Sequence, residues 1–252
     1  MLNRIIHGAE TDKPPVVIAH GLYGSGRNWG VIARRLADSR QVIAVDMRNH
    51  GDSPWTETHT YQDMAADLAE VMASLGRPAD LVGHSMGGKA AMTLALTDPG
   101  NLRRLVVADI APVFYSHTQM PHIHAMRAVE LSRVTRRSDA EAMLAEQGVE
   151  PALQSFFTQS LDVAGRRWKL NLDTLERAMP SIMGFPETEA TWDGPALFLT
   201  GAESDYVRPE YREAIRARFL HPRFARIPGA GHWLHADRPR EFEAAVRVFL
   251  DA

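Results

Sequence analysis

The 252-residue sequence predicts an α/β fold: a mostly parallel central sheet with helices on both faces and a helical insertion. Three observations carry that expectation. Short apolar runs alternate with longer helical patterns through the first 110 residues, as βα units require. The same alternation returns after about residue 190. Between the two lies a stretch with helical periodicity and no convincing strand.

The elements follow in order. Val16-Val17-Ile18-Ala19 comes after Pro14-Pro15 and ends at His20-Gly21; Val42-Ile43-Ala44-Val45 ends at Asp46. Leu81-Val82 runs into Gly83, and Leu105-Val106-Val107-Ala108 ends at Asp109. Continuous apolar runs of this kind suit strands buried on both faces. A helix is predicted from Tyr61 to Leu75, where Met64, Ala65, Leu68 and Met72 recur at spacings of three and four. Thr60 stands at its N-cap and Gly76 terminates it. Another helix spans Met86 to Leu96, stopped by Pro99-Gly100. In the tail, strands are predicted at Ala196–Leu199 and Phe224–Ile227, with helices over Glu210–Phe219 and Arg238–Leu250.

Residues 1–110 and 191–252 are therefore assigned to the core and 111–190 to a helical cap. Ala140–Leu144 and Leu172–Met183 are its clearest helical patterns. Its Phe114, Met120, Phe156, Phe157, Trp168, Met179 and Met183 exceed what a solvated linker carries, and a cover over a pocket is their natural use.

Composition narrows the function. The net charge of −3 offers no basic field for a nucleic-acid backbone. No stretch approaches the ~18 apolar residues that cross a bilayer, so no membrane partner is expected. Met1 to Glu10 lacks an apolar signal core, and a cytoplasmic location is expected. The absence of cysteine excludes disulfides, thiolate zinc sites and a cysteine nucleophile. The eleven histidines form no H-E-x-x-H pattern, and no metal is expected. Nothing in the spacing bears on oligomeric state.

Chemistry concentrates in three motifs. Gly83-His84-Ser85-Met86-Gly87-Gly88 matches G-x-S-x-G between a predicted strand and a predicted helix. A strand that turns sharply into a helix leaves the serine hydroxyl at the tip, and flanking glycines let the backbone crowd there. Ser85 is the candidate nucleophile. His20-Gly21-Leu22-Tyr23-Gly24 follows the first buried strand; the Leu22 and Met86 amides are the candidate oxyanion hole, aimed where charge develops on a carbonyl oxygen. His232 lies in Gly229-Ala230-Gly231-His232-Trp233, between the last strand and the last helix, and is the candidate base. His235 is a decoy at the start of that helix, and His84 sits on the strand side of the elbow. His59, His117, His122, His124 and His221 have no supporting context. Two carboxylates compete for the acid: Asp205, after the penultimate strand, and Asp109, 24 residues beyond Ser85 (109 − 85). Both stand at carboxyl ends of strands. Asp46 to Ser53 reads as a structural turn with internal hydrogen bonds.

Four stretches also carry a resemblance. His20-Gly21-Leu22-Tyr23-Gly24-Ser25, Asp46-x-Arg48-Asn49-His50-Gly51-Asp52-Ser53, Gly83-His84-Ser85-Met86-Gly87-Gly88-Lys89 and Gly229-Ala230-Gly231-His232-Trp233-x-His235-Ala236-Asp237 occur in that order. Together they resemble the YbfF-type bacterial esterases and their mitochondrial relatives within the α/β hydrolases. The likeness runs from about residue 14 onward and is weakest in the cap. It implies hydrolysis of carboxylic esters or thioesters of fairly small acyl groups, with no cofactor. It also implies Asp109 as the acid; members commonly lack an acid where this chain has Asp205, which is a departure from the pattern. The same constellation also serves C–C bond hydrolases, lyases and perhydrolases, whereas non-catalytic scaffolds of this fold usually lose a triad residue. With an imidazole base, activity is expected to fall below about pH 6–7.

Overall fold

Buried runs and amphipathic segments alternate along the chain as nine strands and ten helices in a computed structural model that describes all 252 residues. The amino-terminal half comprises β1 (Arg4–His7), β2 (Val16–Ala19), α1 (Gly30–Leu36), β3 (Val42–Val45), α2 (Tyr61–Ala73), β4 (Ala79–His84), α3 (Met86–Thr97) and β5 (Leu102–Ala108). Then come α4 (Met120–Ala128), α5 (Arg137–Glu146), α6 (Pro151–Thr158), β6 (Leu161–Asp162), β7 (Arg167–Trp168) and α7 (Leu172–Met183). The chain closes with β8 (Ala196–Gly201), α8 (Tyr211–Arg216), β9 (Pro222–Ile227), α9 (Leu234–Asp237) and α10 (Pro239–Asp251).

Seven strands form one sheet in the order β1-β3-β2-β4-β5-β8-β9, parallel except for β1. Strand order reverses between β2 and β4. In an open parallel sheet, ligands bind beyond the carboxyl ends of the strands at that switch. Those two ends deliver His20–Gly24 and Ser85.

Alternation along each strand divides the core. Val17, Ile43, Leu81, Val107 and Phe198 face one layer with Met64, Leu68 and Val71 of α2 and Ala91 and Leu94 of α3. Val16, Ile18, Val42, Val106 and Leu199 face the other, with Ile32 and Leu36 of α1 and Phe242, Val246 and Phe249 of α10. Each such side chain taken fully out of water stabilises the fold by about 1.5–3 kcal/mol. Thr60 caps α2, its Oγ1 accepting from the Asp63 amide, as its position ahead of the apolar repeat predicts. No helix is long and apolar enough to cross a membrane.

The structure differs from the expectations at four places. β1 was not predicted: Arg4-Ile5-Ile6-His7 is a half-exposed antiparallel edge without a buried run. Residues 111–190 are not purely helical, since β6 and β7 form a two-residue antiparallel ladder there. The helix predicted over Glu210–Phe219 is confined to Tyr211–Arg216, and β9 begins earlier than predicted, at Pro222.

The Asp46–Ser53 turn is cross-linked internally and also fastens the β5–β8 connection. The Asp46 carboxylate accepts from the Gly26 amide at 2.8 Å and the Asp52 amide at 2.9 Å, and Ser53 Oγ donates to the Asp46 carbonyl. The Gly51 amide donates to the Lys169 carbonyl at 2.8 Å, and the Asn171 amide donates to the Asn49 carbonyl at 3.0 Å. Buried Phe157, Trp168, Leu175 and Met179 from this connection join the α2–α3 layer.

Candidate active site

Ser85 sits where β4 turns into α3, with φ 51° and ψ −118°, a conformation that side-chain-bearing residues seldom adopt. The bend survives because its neighbours are glycines. A Cβ on Gly87 would collide with the carbonyl oxygens of Ala19 and His20, and one on Gly83 with the Gly87 carbonyl. β2, β4 and α3 therefore approach one another more closely than any other residue allows.

His232 follows β9, in the turn before α9. Its Nε2 lies 3.2 Å from Ser85 Oγ and accepts that hydrogen bond; its Nδ1 donates to Asp109 Oδ2 at 2.8 Å. Those two contacts assign the tautomer, with the free lone pair on the nitrogen that faces the serine. Asp109 is fully buried at the end of β5, also at positive φ. Its carboxylate accepts the Gly201 amide on Oδ1 at 3.0 Å and the Ser204 hydroxyl on Oδ2. A buried carboxylate needs such partners. Asp205 makes no hydrogen bond or ion pair with His232; it lines a separate cavity with Arg208, Arg212 and Arg226. Of the two carboxylates, the fold brings Asp109 alone to the imidazole.

The Leu22 amide, outside any helix or strand, has no partner in the protein. Its direction is set from the other side of its peptide plane. His20 Nδ1 donates to the Gly21 carbonyl at 2.8 Å, and the Gly24 amide donates to the same oxygen at 3.0 Å. In a trans peptide the Leu22 N–H then points the opposite way. Met86 is the first residue of α3, so its N–H is one of the orphan donors of a helix start. Both residues line one cavity of about 150 Å³ with Ser85 and His232.

Histidines build much of this region, including several without a sequence signal. His20 Nε2 accepts from the Met47 amide and His50 Nε2 from the Tyr23 amide, so both rings brace the Gly21–Tyr23 loop. Burial lowers the pKa of His20 and, with repulsion from neighbouring imidazoles, pushes His50 well below the usual range. His59 packs its Nε2 3.3 Å from Met86 Sδ, and burial pushes it down to about 3. His84, on the strand side of the elbow, still reaches the turn that carries His232: its Nε2 donates to the His232 carbonyl at 2.8 Å. His235 stacks on Trp29, with ring centres 4.1 Å apart. His117 and His122 line the cavity. His124 and His221 remain apart from it.

The far wall is formed by Tyr61, Ile110, Tyr115, Ile182 and Met183, with Lys89 one turn beyond Ser85 on α3. Lys89 is buried; its Nζ donates to the Met183 carbonyl at 3.0 Å and lies 4.7 Å from the centre of the Tyr115 ring. Burial brings it down to about 7. Leu153, Phe156 and Phe157 of α6 cover the cavity from the other side.

The profile of the alpha/beta hydrolase family matches residues 16–245. The chain belongs to the α/β-hydrolase family. Relatives in that family share most of its length. It is 42% identical over 250 residues to the mouse (Mus musculus) sn-1-specific diacylglycerol lipase ABHD11, covering 94% of this chain and 81% of that protein. It is 40% identical over 242 residues to the esterase YbfF of Escherichia coli strain K12, covering 95% and 94%. Among solved structures, a marine microorganism esterase superposes with a TM-score of 0.92 at 36% identity, over 98% of both chains. This α/β hydrolase is thus an enzyme whose relatives are named esterases and lipases.

Proposed function

We propose that this chain is a serine hydrolase of carboxylic esters and thioesters that works through an acyl-enzyme on Ser85. The observation that carries the reading is the unbroken series Ser85 Oγ, His232, Asp109, of which Ser85 and His232 line one cavity. In the proposed reaction His232 Nε2 takes the hydroxyl proton as Ser85 Oγ attacks the carbonyl carbon. Asp109 holds the imidazole and balances its charge. The Leu22 and Met86 amides receive the oxyanion, each such donor contributing about 3–4 kcal/mol to the transition state. The alcohol or thiol leaves with the proton from His232, and water activated by the same nitrogen releases the acid.

Residues 111–190 serve, in this reading, as a cap: α6 and the end of α7 supply Phe156, Phe157, Ile182 and Met183 to the cavity lining. A cavity of about 150 Å³ is small beside ligand pockets of about 300–1,000 Å³, which supports short acyl groups. A cytoplasmic setting belongs to the same proposal, since cysteine-free chains suit a reducing compartment. Hydrolysis of p-nitrophenyl acetate and butyrate tests the reading: Ser85→Ala is expected to abolish turnover while the protein stays folded. Turnover retained in that variant overturns it.

A further inference from the structure

The base is faced by an aromatic ring that the reaction scheme above does not use. Tyr206 lies in the loop after β8, and its ring stacks on His232 with centres 3.7 Å apart and planes 18° from parallel. The ring is fixed at both ends. Its backbone amide donates to Ser204 Oγ at 3.2 Å, the same hydroxyl that donates to Asp109. Its carbonyl accepts from the Tyr115 hydroxyl at 2.6 Å. Its own hydroxyl lies 3.2 Å from His117 Nε2 and 3.4 Å from Gln119 Nε2, just ahead of α4.

We propose that Tyr206 is a positioning residue for the reaction: its ring holds the plane of the His232 imidazole and favours the imidazolium that forms as Ser85 loses its proton. The inference rests on the reading of His232 as the base. An aromatic face carries partial negative charge and attracts a cation lying over it, by about 0.5–2 kcal/mol. The imidazole is uncharged before the attack and cationic during it, so the attraction stabilises the transition state more than the ground state. The ring also covers one face of the imidazole, leaving Nε2 and Nδ1 free in its plane to meet Ser85 and Asp109.

The other groups around His232 leave this effect visible. Ser85 approaches from the elbow, Asp109 from β5, His84 from β4, His235 from α9 and His117 from the segment before α4. Burial holds His84 well below its ordinary value and His235 down to about 3, and it lowers His117. Lys89 of α3 turns its Nζ to the Met183 and Gly184 carbonyls. Asp109 is the one carboxylate against the base.

The test separates ring electronics from packing. Tyr206→Phe and its ring-fluorinated analogues up to Tyr206→pentafluorophenylalanine keep the shape while progressively weakening the negative face. With p-nitrophenyl acetate, Tyr206→Phe is expected to retain the wild-type pH profile. Full fluorination should move the acid limb of kcat/KM about half a unit to lower pH and lower kcat about five-fold, with KM within about two-fold. Tyr206→Leu should show the same direction of shift. Profiles that superpose across the fluorinated series, or a Tyr206→Phe variant as impaired as Tyr206→Leu, overturn the inference. The parent reading is judged independently in the same assay by Ser85→Ala, whose residual turnover does not depend on residue 206.

Discussion

At the residue scale two aspartates show how location decides what a carboxylate can reach. Asp109 and Asp205 both follow strands whose carboxyl ends face the site, yet Asp109 is fully buried and bonded to the imidazole, whereas Asp205 joins three arginines at another cavity. The position after β8 contributes a hydroxyl instead, with Ser204 donating to the Asp109 carboxylate. Two substitutions separate the carboxylates. Asp109→Asn presents an amide where the imidazole needs an acceptor and favours the wrong tautomer, so kcat for p-nitrophenyl acetate is expected to fall about 10³- to 10⁴-fold. Asp205→Asn should stay within about two-fold of wild type. A large loss in the second variant and a small one in the first would exchange their roles.

The same comparison marks where reading residues alone ran out. Order along the chain puts both aspartates at suitable strand ends, and only the direction of each side chain distinguishes them. Histidines posed the same difficulty. His50 and His59 make their contacts with residues 27 positions distant, Tyr23 and Met86, so no local pattern announced them. Ser85 and His232 could be singled out as candidates because each sits in a glycine-flanked turn whose place between strand and helix is itself readable.

At the scale of elements the elbow is the part least tolerant of change. Gly87 lies against the backbone carbonyls of Ala19 and His20, which cannot yield without moving β2. Gly87→Ala is therefore expected to destabilise the protein by about 1–3 kcal/mol or more, read as a lowered thermal midpoint together with lost activity. A variant with an unchanged midpoint would contradict the close packing of β2, β4 and α3. Buried parallel strands were legible because each is a continuous apolar run. β1 was not, because its four residues mix charge with apolar groups on an exposed edge. Neither was the β6–β7 ladder, where two residues per strand are too few for any period.

At the scale of the molecule, five buried histidines make stability depend on acid. His20, His50, His59, His84 and His235 are all lowered below their ordinary value, His59 and His235 to about 3. In the unfolded chain each takes up a proton near the ordinary imidazole value of about 6.5, while the folded protein resists it. The unfolded state then binds more protons as pH falls, so the stabilising effect of neutral burial is complete above about 6.5 and is lost below it. For His59 and His235 the window closes near 3. Each contributes up to about 1.4 kcal/mol per pH unit within it. The urea midpoint is expected to fall steadily between pH 7 and pH 4.5. A midpoint constant across that range would mean that these rings do not remain neutral and buried in the fold.

The central claim is a covalent one, that a hydroxyl at the β4–α3 bend becomes acylated with an imidazole from beyond β9 as its base. Intact-mass and peptide-mapping mass spectrometry after treatment with a fluorophosphonate tests it most directly. One adduct should form, on the peptide holding Ser85; His232→Ala should slow its formation by orders of magnitude, and Ser85→Ala should abolish it. An adduct on another residue, or labelling of Ser85 at an undiminished rate without His232, would contradict the account.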